Sequence, residues 1–229
     1  QPKRPRELKK ALVAIPYIEY LKAEQQKRVL FLEGETDLRI LRSFAQVLEH
    51  PVLPKLDAAF IKYLNSNDID AARDTFTALQ EAYPELKGVV LTDALGKSYD
   101  MPPDLSHLQW RRKEIECYLP LPMTLYRVID GNSDTPESLF EQESLGQLRA
   151  IVEENTPPAA LRSISDDFWK RTKVSDDWLK PILERYYALL GLPVKIRKGD
   201  YFLLAQKARP EELDGEIIEK LDVLNEFLS

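Results

Sequence analysis

The stretch Glu33-Gly34-Glu35-Thr36-Asp37 joins acidic groups to the signs of a strand-to-helix turn. Glu33 closes an apolar run over residues 28–33, and Asp37 falls in the first turn of a helix expected over residues 36–48. Across such a turn both carboxylates can aim at one volume above a sheet edge, where the helix N-terminus favours negative charge. A pair of exposed capping acids would show the same spacing. Carboxylates held close together repel unless a proton or a cation intervenes. A second strand end carries Asp93, directly after Gly88-Val89-Val90-Leu91-Thr92. Glu114 and Glu116 add two more acids, and if residues 108–119 are extended they share one face, with Ile115 and Cys117 on the other. Arg111, Arg112 and Lys113 stand beside them, so a surface salt-bridge ladder is the competing reading. The chemistry open to such a set is the binding of a hard cation by oxygen ligands.

The elements that must position these acids follow from apolar periodicity. Residues 28–33, 58–64 and 88–92 read as strands, and residues 108–119 as a fourth extended segment. Between them lie the helix over residues 36–48 and another from an Asn67 cap to about residue 82. Strand–helix–strand alternation implies an α/β fold with a mostly parallel sheet, whose function gathers at the carboxyl ends of its strands. Residues 1–26 read as an N-terminal connector helix, broken or kinked at Pro16, and residues 27–119 as the first part of the core. Residues 120–190 read as a helical insert and residues 191–229 as the rest of the core. In the insert, Ser165 and Ser175 each precede two aspartates, as helix-capping serines would, and the aromatic pairs Trp169/Trp178 and Tyr186/Tyr187 read as core. Pro181 opens a helix that Gly191 ends. Beyond it, residues 194–197 read as a strand, Asp200 as the cap of a helix to about residue 208, and residues 210–228 as an amphipathic helix.

Composition narrows the function classes. With two histidines and one cysteine in 229 residues, a structural zinc site is not expected, and Cys117 has no partner for an internal disulfide. A reducing cytoplasm is the expected compartment, and no apolar run is long enough to span a bilayer. The chain opens at Gln1 with a basic stretch and no initiator Met, which reads as a fragment or a processed product. A net charge of −6 speaks against a protein that simply coats nucleic acid, though bound divalent cations reverse the field around clustered carboxylates. Basic clusters at Lys3/Arg4/Arg6/Lys9/Lys10, Arg111/Arg112/Lys113 and Lys195/Arg197/Lys198 could touch phosphates or be solvated charge. Gly96-Lys97-Ser98 ends like a phosphate loop, but that motif needs a glycine where Leu91 stands.

Residues 29–37 (Val-Leu-Phe-Leu-Glu-Gly-Glu-Thr-Asp) resemble the first motif of Toprim domains, and residues 89–93 (Val-Val-Leu-Thr-Asp) resemble their second acidic strand. Residues 112–119 and Lys198-Gly199-Asp200-Tyr201 are similar to the overcoming-lysogenization-defect (OLD) nucleases, bacterial proteins that join an ABC-type ATPase to a Toprim nuclease. The resemblance implies a Toprim-like sheet with an inserted helical subdomain, and a Mg²⁺- or Mn²⁺-dependent endonuclease acting on DNA, with the ATPase domain upstream. It implies that Glu33, Asp37, Asp93 and Glu114 or Glu116 bind one or two ions, and that Lys198 stabilises charge on the phosphate, with Lys195 and Arg197 as competitors. The chain departs from the family at Leu95, where Toprim domains commonly carry the second acid of Asp-x-Asp; Glu114, Glu116 or the Thr92 hydroxyl could compensate. Two other readings stand beside this one. That departure suggests a non-catalytic DNA-binding or scaffolding domain; the Toprim resemblance also admits part of a topoisomerase or primase, but a topoisomerase needs a nucleophilic tyrosine and no feature marks Tyr99, Tyr118 or Tyr201 as one.

Overall fold

The protein is described by a computed structural model that covers residues 15–130 and 139–229. The basic cluster from Lys3 to Lys10 and the first part of the expected connector helix lie outside those residues.

Strand β1, Arg28–Leu32, alternates its side chains between two cores. Val29 and Phe31 pack with Phe76, Val90 and Leu105, while Leu30 and Leu32 join Leu41, Phe44 and Leu91. Such alternation with both faces apolar belongs to a strand covered by helices on both sides. Strands β2 (Ile61–Tyr63), β3 (Lys87–Thr92) and β4 (Leu105–Gln109) complete a sheet of order β2-β1-β3-β4. Every pairing is parallel; helices make the crossovers among β1, β2 and β3, and irregular chain makes the one from β3 to β4. The expected α/β fold, a parallel sheet flanked by helices, is therefore present.

Helix α1 (Tyr17–Gln26) leads into β1. Helix α2 (Glu35–Val47) buries Leu38, Leu41, Phe44 and Ala45 at helical spacing, each large apolar side chain contributing about 1.5–3 kcal/mol. The short helix α3 spans Leu53–Ala58, so the expected second strand shrinks to Ile61–Tyr63. Helix α4 (Ile69–Ala82) lies on the other face, with Phe76 fully buried. Gly88 lets α4 and β4 close on β3: a Cβ there would stand 2.5 Å from Leu105 Cδ1 and 2.9 Å from the Phe76 ring.

Winding reverses between β1 and β3, because the chain steps outward from β1 to β2 and then returns past β1 to β3. Carboxyl ends of strands open a crevice at such a reversal. Phe31 pairs with Val90, so Glu33 and Asp93 leave neighbouring strands at one rim.

Downstream, helices α5 (Met123–Ile129), α6 (Leu139–Glu154), α7 (Pro158–Arg162), α8 (Asp167–Arg171) and α9 (Lys180–Leu189) form the helical region. Leu148, Ile151, Trp169, Trp178 and Leu183 share one apolar core with Leu30, Leu32 and α2, so this region builds directly onto one face of the sheet. Trp169 and Trp178 meet edge to face at 5.0 Å, and Tyr186 and Tyr187 are buried with them, as core aromatics. Helices α10 (Phe202–Gln206) and α11 (Gly215–Phe227) end the chain. Among the described residues no helix is long and apolar enough to cross a membrane.

Several local expectations change. The extended segment expected at residues 108–119 stops at Gln109, and residues Ile115–Tyr118 coil into a 3-10 turn. The turn wraps the buried Arg112 guanidinium, which donates to Cys117 O at 2.7 Å and pairs with Asp214. Glu114 and Glu116 therefore do not alternate along a strand. Residues 194–197 join no sheet; they run as irregular chain with Ile196 buried. Asp200 closes a 3-10 turn, Lys198–Asp200, by accepting the Arg197 N–H at 3.0 Å, and caps no longer helix. Gly34 sits at φ −152°, extended backbone open to any residue, so the turn after β1 does not rest on glycine. Neither Ser165 nor Ser175 caps a helix: Asp166 caps α8 through the Phe168 N–H, and Ser175 lies within a π turn, Val174–Leu179.

Candidate acidic site

Glu33 extends the line of β1 and accepts a 2.5 Å hydrogen bond from Asn67 Nδ2. The same amide nitrogen stands 3.4 Å from Asp93 Oδ2, and Asn67 Oδ1 accepts the Asp93 N–H at 3.1 Å. Asn67 thus bridges acids from two neighbouring strand ends. Asp37, in the first turn of α2, accepts the Gly34 N–H at 3.2 Å and is reached by the Thr36 hydroxyl at 3.4 Å. That bond is the capping role expected of the pair, yet the carboxylate still faces the crevice.

Glu114 is nearly fully buried, and both of its oxygens are engaged by Ser175: the N–H donates at 2.6 Å and the hydroxyl at 2.9 Å. Glu116, also buried, shares the crevice from within the 3-10 turn. Lys198 lines the crevice beside them, its Nζ 3.4 Å from Ser175 Oγ. Arg39 of α2 fixes the Lys198 turn by donating to Gly199 O at 2.8 Å, with its guanidinium 3.7 Å from the Phe202 ring centre.

Every acid singled out in the sequence, Glu33, Asp37, Asp93, Glu114 and Glu116, lines one cavity of about 260 Å³ together with Lys198. Asn67, Lys113 and Lys173 complete its polar wall, and Leu95 stands on it where a further acid was sought. Other candidates lie elsewhere. Thr92 is buried, its hydroxyl donating to Asp93 O at 3.1 Å and meeting His107 Nε2 at 2.9 Å. Arg111 pairs with Glu219 at 2.5 Å and Arg112 with Asp214, so only Lys113 of that cluster turns to the crevice. Arg197 lines a neighbouring cavity instead.

The sequence reading missed the place of Asn67 in this crevice. It was expected as the cap of α4, but Asp68 takes that role by accepting the Ala71 N–H at 3.1 Å. The usable signal was positional: Asn67 lies in the loop beyond the carboxyl end of β2, at the rim where Glu33 follows β1 and Asp93 follows β3. Ser175 carried no such signal, because its partner Glu114 is 61 residues away.

Crowding shows in the electrostatics. Burial pushes Asp93 up to about 7, with the charges of Glu33, Asp37 and Glu114 adding to it and the Asn67 hydrogen bond opposing. Burial likewise pushes Asp37 up to about 6, against the Gly34 N–H and the positive charge of Lys198. Glu116 is raised chiefly by burial and then by the Glu114 charge. Among the described residues, no three His, Cys, Asp or Glu side chains are already drawn into a tight chelating group. The donor set is nonetheless all oxygen and strongly acidic, which fits a hard divalent cation and not a soft one.

No family model and no curated protein matches the chain. Among solved structures, it is similar to the C-terminal region of the OLD protein of Xanthomonas campestris pv. campestris. That similarity runs at 12% identity and a TM-score of 0.43, over 90% of this chain and 96% of that one. It is also similar to the C-terminal region of the Burkholderia pseudomallei OLD protein, at 15% identity and a TM-score of 0.42, over 89% of this chain and 99% of that one. These similar structures come from the family whose motifs the sequence resembles.

Proposed function

We propose that this chain is a divalent-metal-dependent DNA endonuclease. The observation that carries the reading is the convergence of Glu33, Asp37, Asp93, Glu116 and Lys198 on one crevice where the sheet reverses its winding. Burial and mutual repulsion leave three of these acids short of positive charge. A cation is the natural partner for such a group.

Glu33, Asp37, Asp93 and Glu116 would hold Mg²⁺ or Mn²⁺, as one ion or two. Glu114 is better read as the post that anchors the π turn, because Ser175 engages both its oxygens. When bound, the metal supplies an activated water and neutralises charge on the phosphodiester. Lys198, held in place by Arg39 and beside Ser175, brings a fixed positive charge to the phosphate oxygens. Lys113 adds to the attraction for a polyanion at the mouth, while Lys173 is paired with Asp176 at 2.6 Å. Following the motif resemblance, the domain would act under an ABC-type ATPase domain of the same longer polypeptide.

The test is nicking of supercoiled plasmid with Mg²⁺ or Mn²⁺, with EDTA, Asp93→Ala and Lys198→Met as controls. Cleavage by Asp93→Ala at the wild-type rate would refute the assignment. A second reading, a non-catalytic DNA-binding or scaffolding domain, is favoured by Leu95 on the cavity wall and by the open spacing of the acids. Calorimetry separates the two, since the catalytic site takes up divalent cations at low ionic strength and the scaffold does not. For a topoisomerase, the three candidate tyrosines are poorly placed. None lines the acid cavity; Tyr118 donates to Glu216 and Tyr201 to Ser175 O, and burial raises the pKa of both.

A further inference from the structure

A second cavity, of about 470 Å³, adjoins the acid crevice and shares Lys198 with it. Its walls are graded. Leu183, Ile196 and Tyr201 are buried and Val194 is half-buried, giving an apolar floor. Lys180, Arg197 and Lys198 are exposed and form a cationic rim. Two acids also reach the rim: Asp176 is neutralised by Lys173 at 2.6 Å, and Glu184 remains as a hydrogen-bond acceptor. The volume falls within the range of small-ligand sites, roughly 300–1,000 Å³, and suits one nucleotide.

An apolar slot beneath a cationic rim fits a flat heterocycle carrying a phosphate. The base would rest chiefly on Val194, above the buried Leu183, Ile196 and Tyr201, and the phosphate would face Arg197 and Lys180. Glu184 could accept a hydrogen bond from an exocyclic amine, which only an unpaired base offers freely. Because Lys198 serves both cavities, a strand with one phosphate in the acid crevice would bring its next nucleotide to this slot. We infer that the second cavity is a subsite for one unstacked nucleotide adjoining the scissile phosphate, so that the preferred substrate is unpaired DNA. This rests on the nuclease reading above.

The experiment has two arms on the same chain. In the first, single-stranded oligonucleotides carry one abasic unit moved stepwise past the cleaved bond, with Mn²⁺. Abasic substitution at one flanking position should lower kcat/KM about tenfold, as expected for loss of one base's apolar contact, and blunt duplex should be cut more slowly than single strand. Val194→Glu, which fills the slot with charge, should erase the dependence on that position. In the second arm, deoxyadenosine monophosphate is titrated without metal while the methyl resonances of Leu183, Val194 and Ile196 are followed by NMR; all three should shift. Unmoved methyls overturn the inference, as does an abasic series in which no position changes the rate more than about twofold. Shifting methyls with no metal-dependent cleavage of any strand would retire the nuclease reading and still support a nucleotide site here.

Discussion

Asp93→Asn isolates the charge crowding on which the proposed cation site depends. Burial and the surrounding acids hold the Asp93 carboxyl at about 7 in the folded protein, against about 4 in an unfolded chain. The folded state therefore binds the proton more tightly than the unfolded state, and stability falls as pH rises from about 4 through about 7. At about 1.4 kcal/mol per tenfold, the loss at pH 8 has an upper limit of about 4 kcal/mol. Burial makes the larger part of that rise and the charges of Glu33, Asp37 and Glu114 the rest, and because these acids titrate together about half of that limit is expected from one site. Asparagine keeps the shape and removes the charge. In EDTA at pH 8 the variant should melt higher than wild type by about 4–8 °C, which corresponds to about 2 kcal/mol in a chain of this size. At pH 5, where the wild-type carboxyl already carries its proton, the difference should shrink to near zero. Adding Mn²⁺ at pH 8 should raise the melting temperature of the wild type and leave Asp93→Asn nearly unmoved. Calorimetric melting across pH 5–8, with and without metal, reads all of these. A variant that melts lower than wild type at pH 8, or that Mn²⁺ stabilises equally, would refute the crowding argument.

Other perturbations probe separate parts of the design. Glu114→Gln should lower stability by about 1–3 kcal/mol through its bonds to Ser175, yet leave the calorimetric Mn²⁺ affinity within about threefold of wild type. Asn67→Ala removes the hydrogen bond that opposes the rise at Asp93, so the pH midpoint of Mn²⁺ uptake should move upward; an unchanged midpoint would count against the bridge. Arg39→Met releases the Gly199 carbonyl and should slow plasmid nicking while Mn²⁺ binding persists, because Lys198 is displaced and the acids are not. Gly88→Ala forces a methyl against Leu105 and Phe76 and should cost about 1–3 kcal/mol in urea unfolding, with no change in Mn²⁺ affinity.

Much of this architecture is legible in local sequence because local physics dictates it. Apolar runs of strand length made β1 and β3 visible, and the 3.6-residue pattern of Leu38, Leu41, Phe44 and Ala45 made α2 visible. Glu33 and Asp93 stood out because a strand end in a parallel sheet is a defined place, readable from the residues beside it. What lay beyond the chain's own neighbourhood was decided only in three dimensions. Residues 115–118 coil because Arg112 is buried against Cys117 O and against Asp214, a partner 102 residues away. Glu114 is occupied by Ser175, Asn67 enters the crevice because Asp68 takes the cap, and Lys198 rather than Arg197 reaches the acids because Arg39 holds Gly199. Composition and periodicity thus determined which elements form and at which edge the acids emerge, since those follow from short-range backbone preference and burial. Which oxygens remain free to meet a cation depends on hydrogen-bond partners distant in sequence, and only packing brings those partners together.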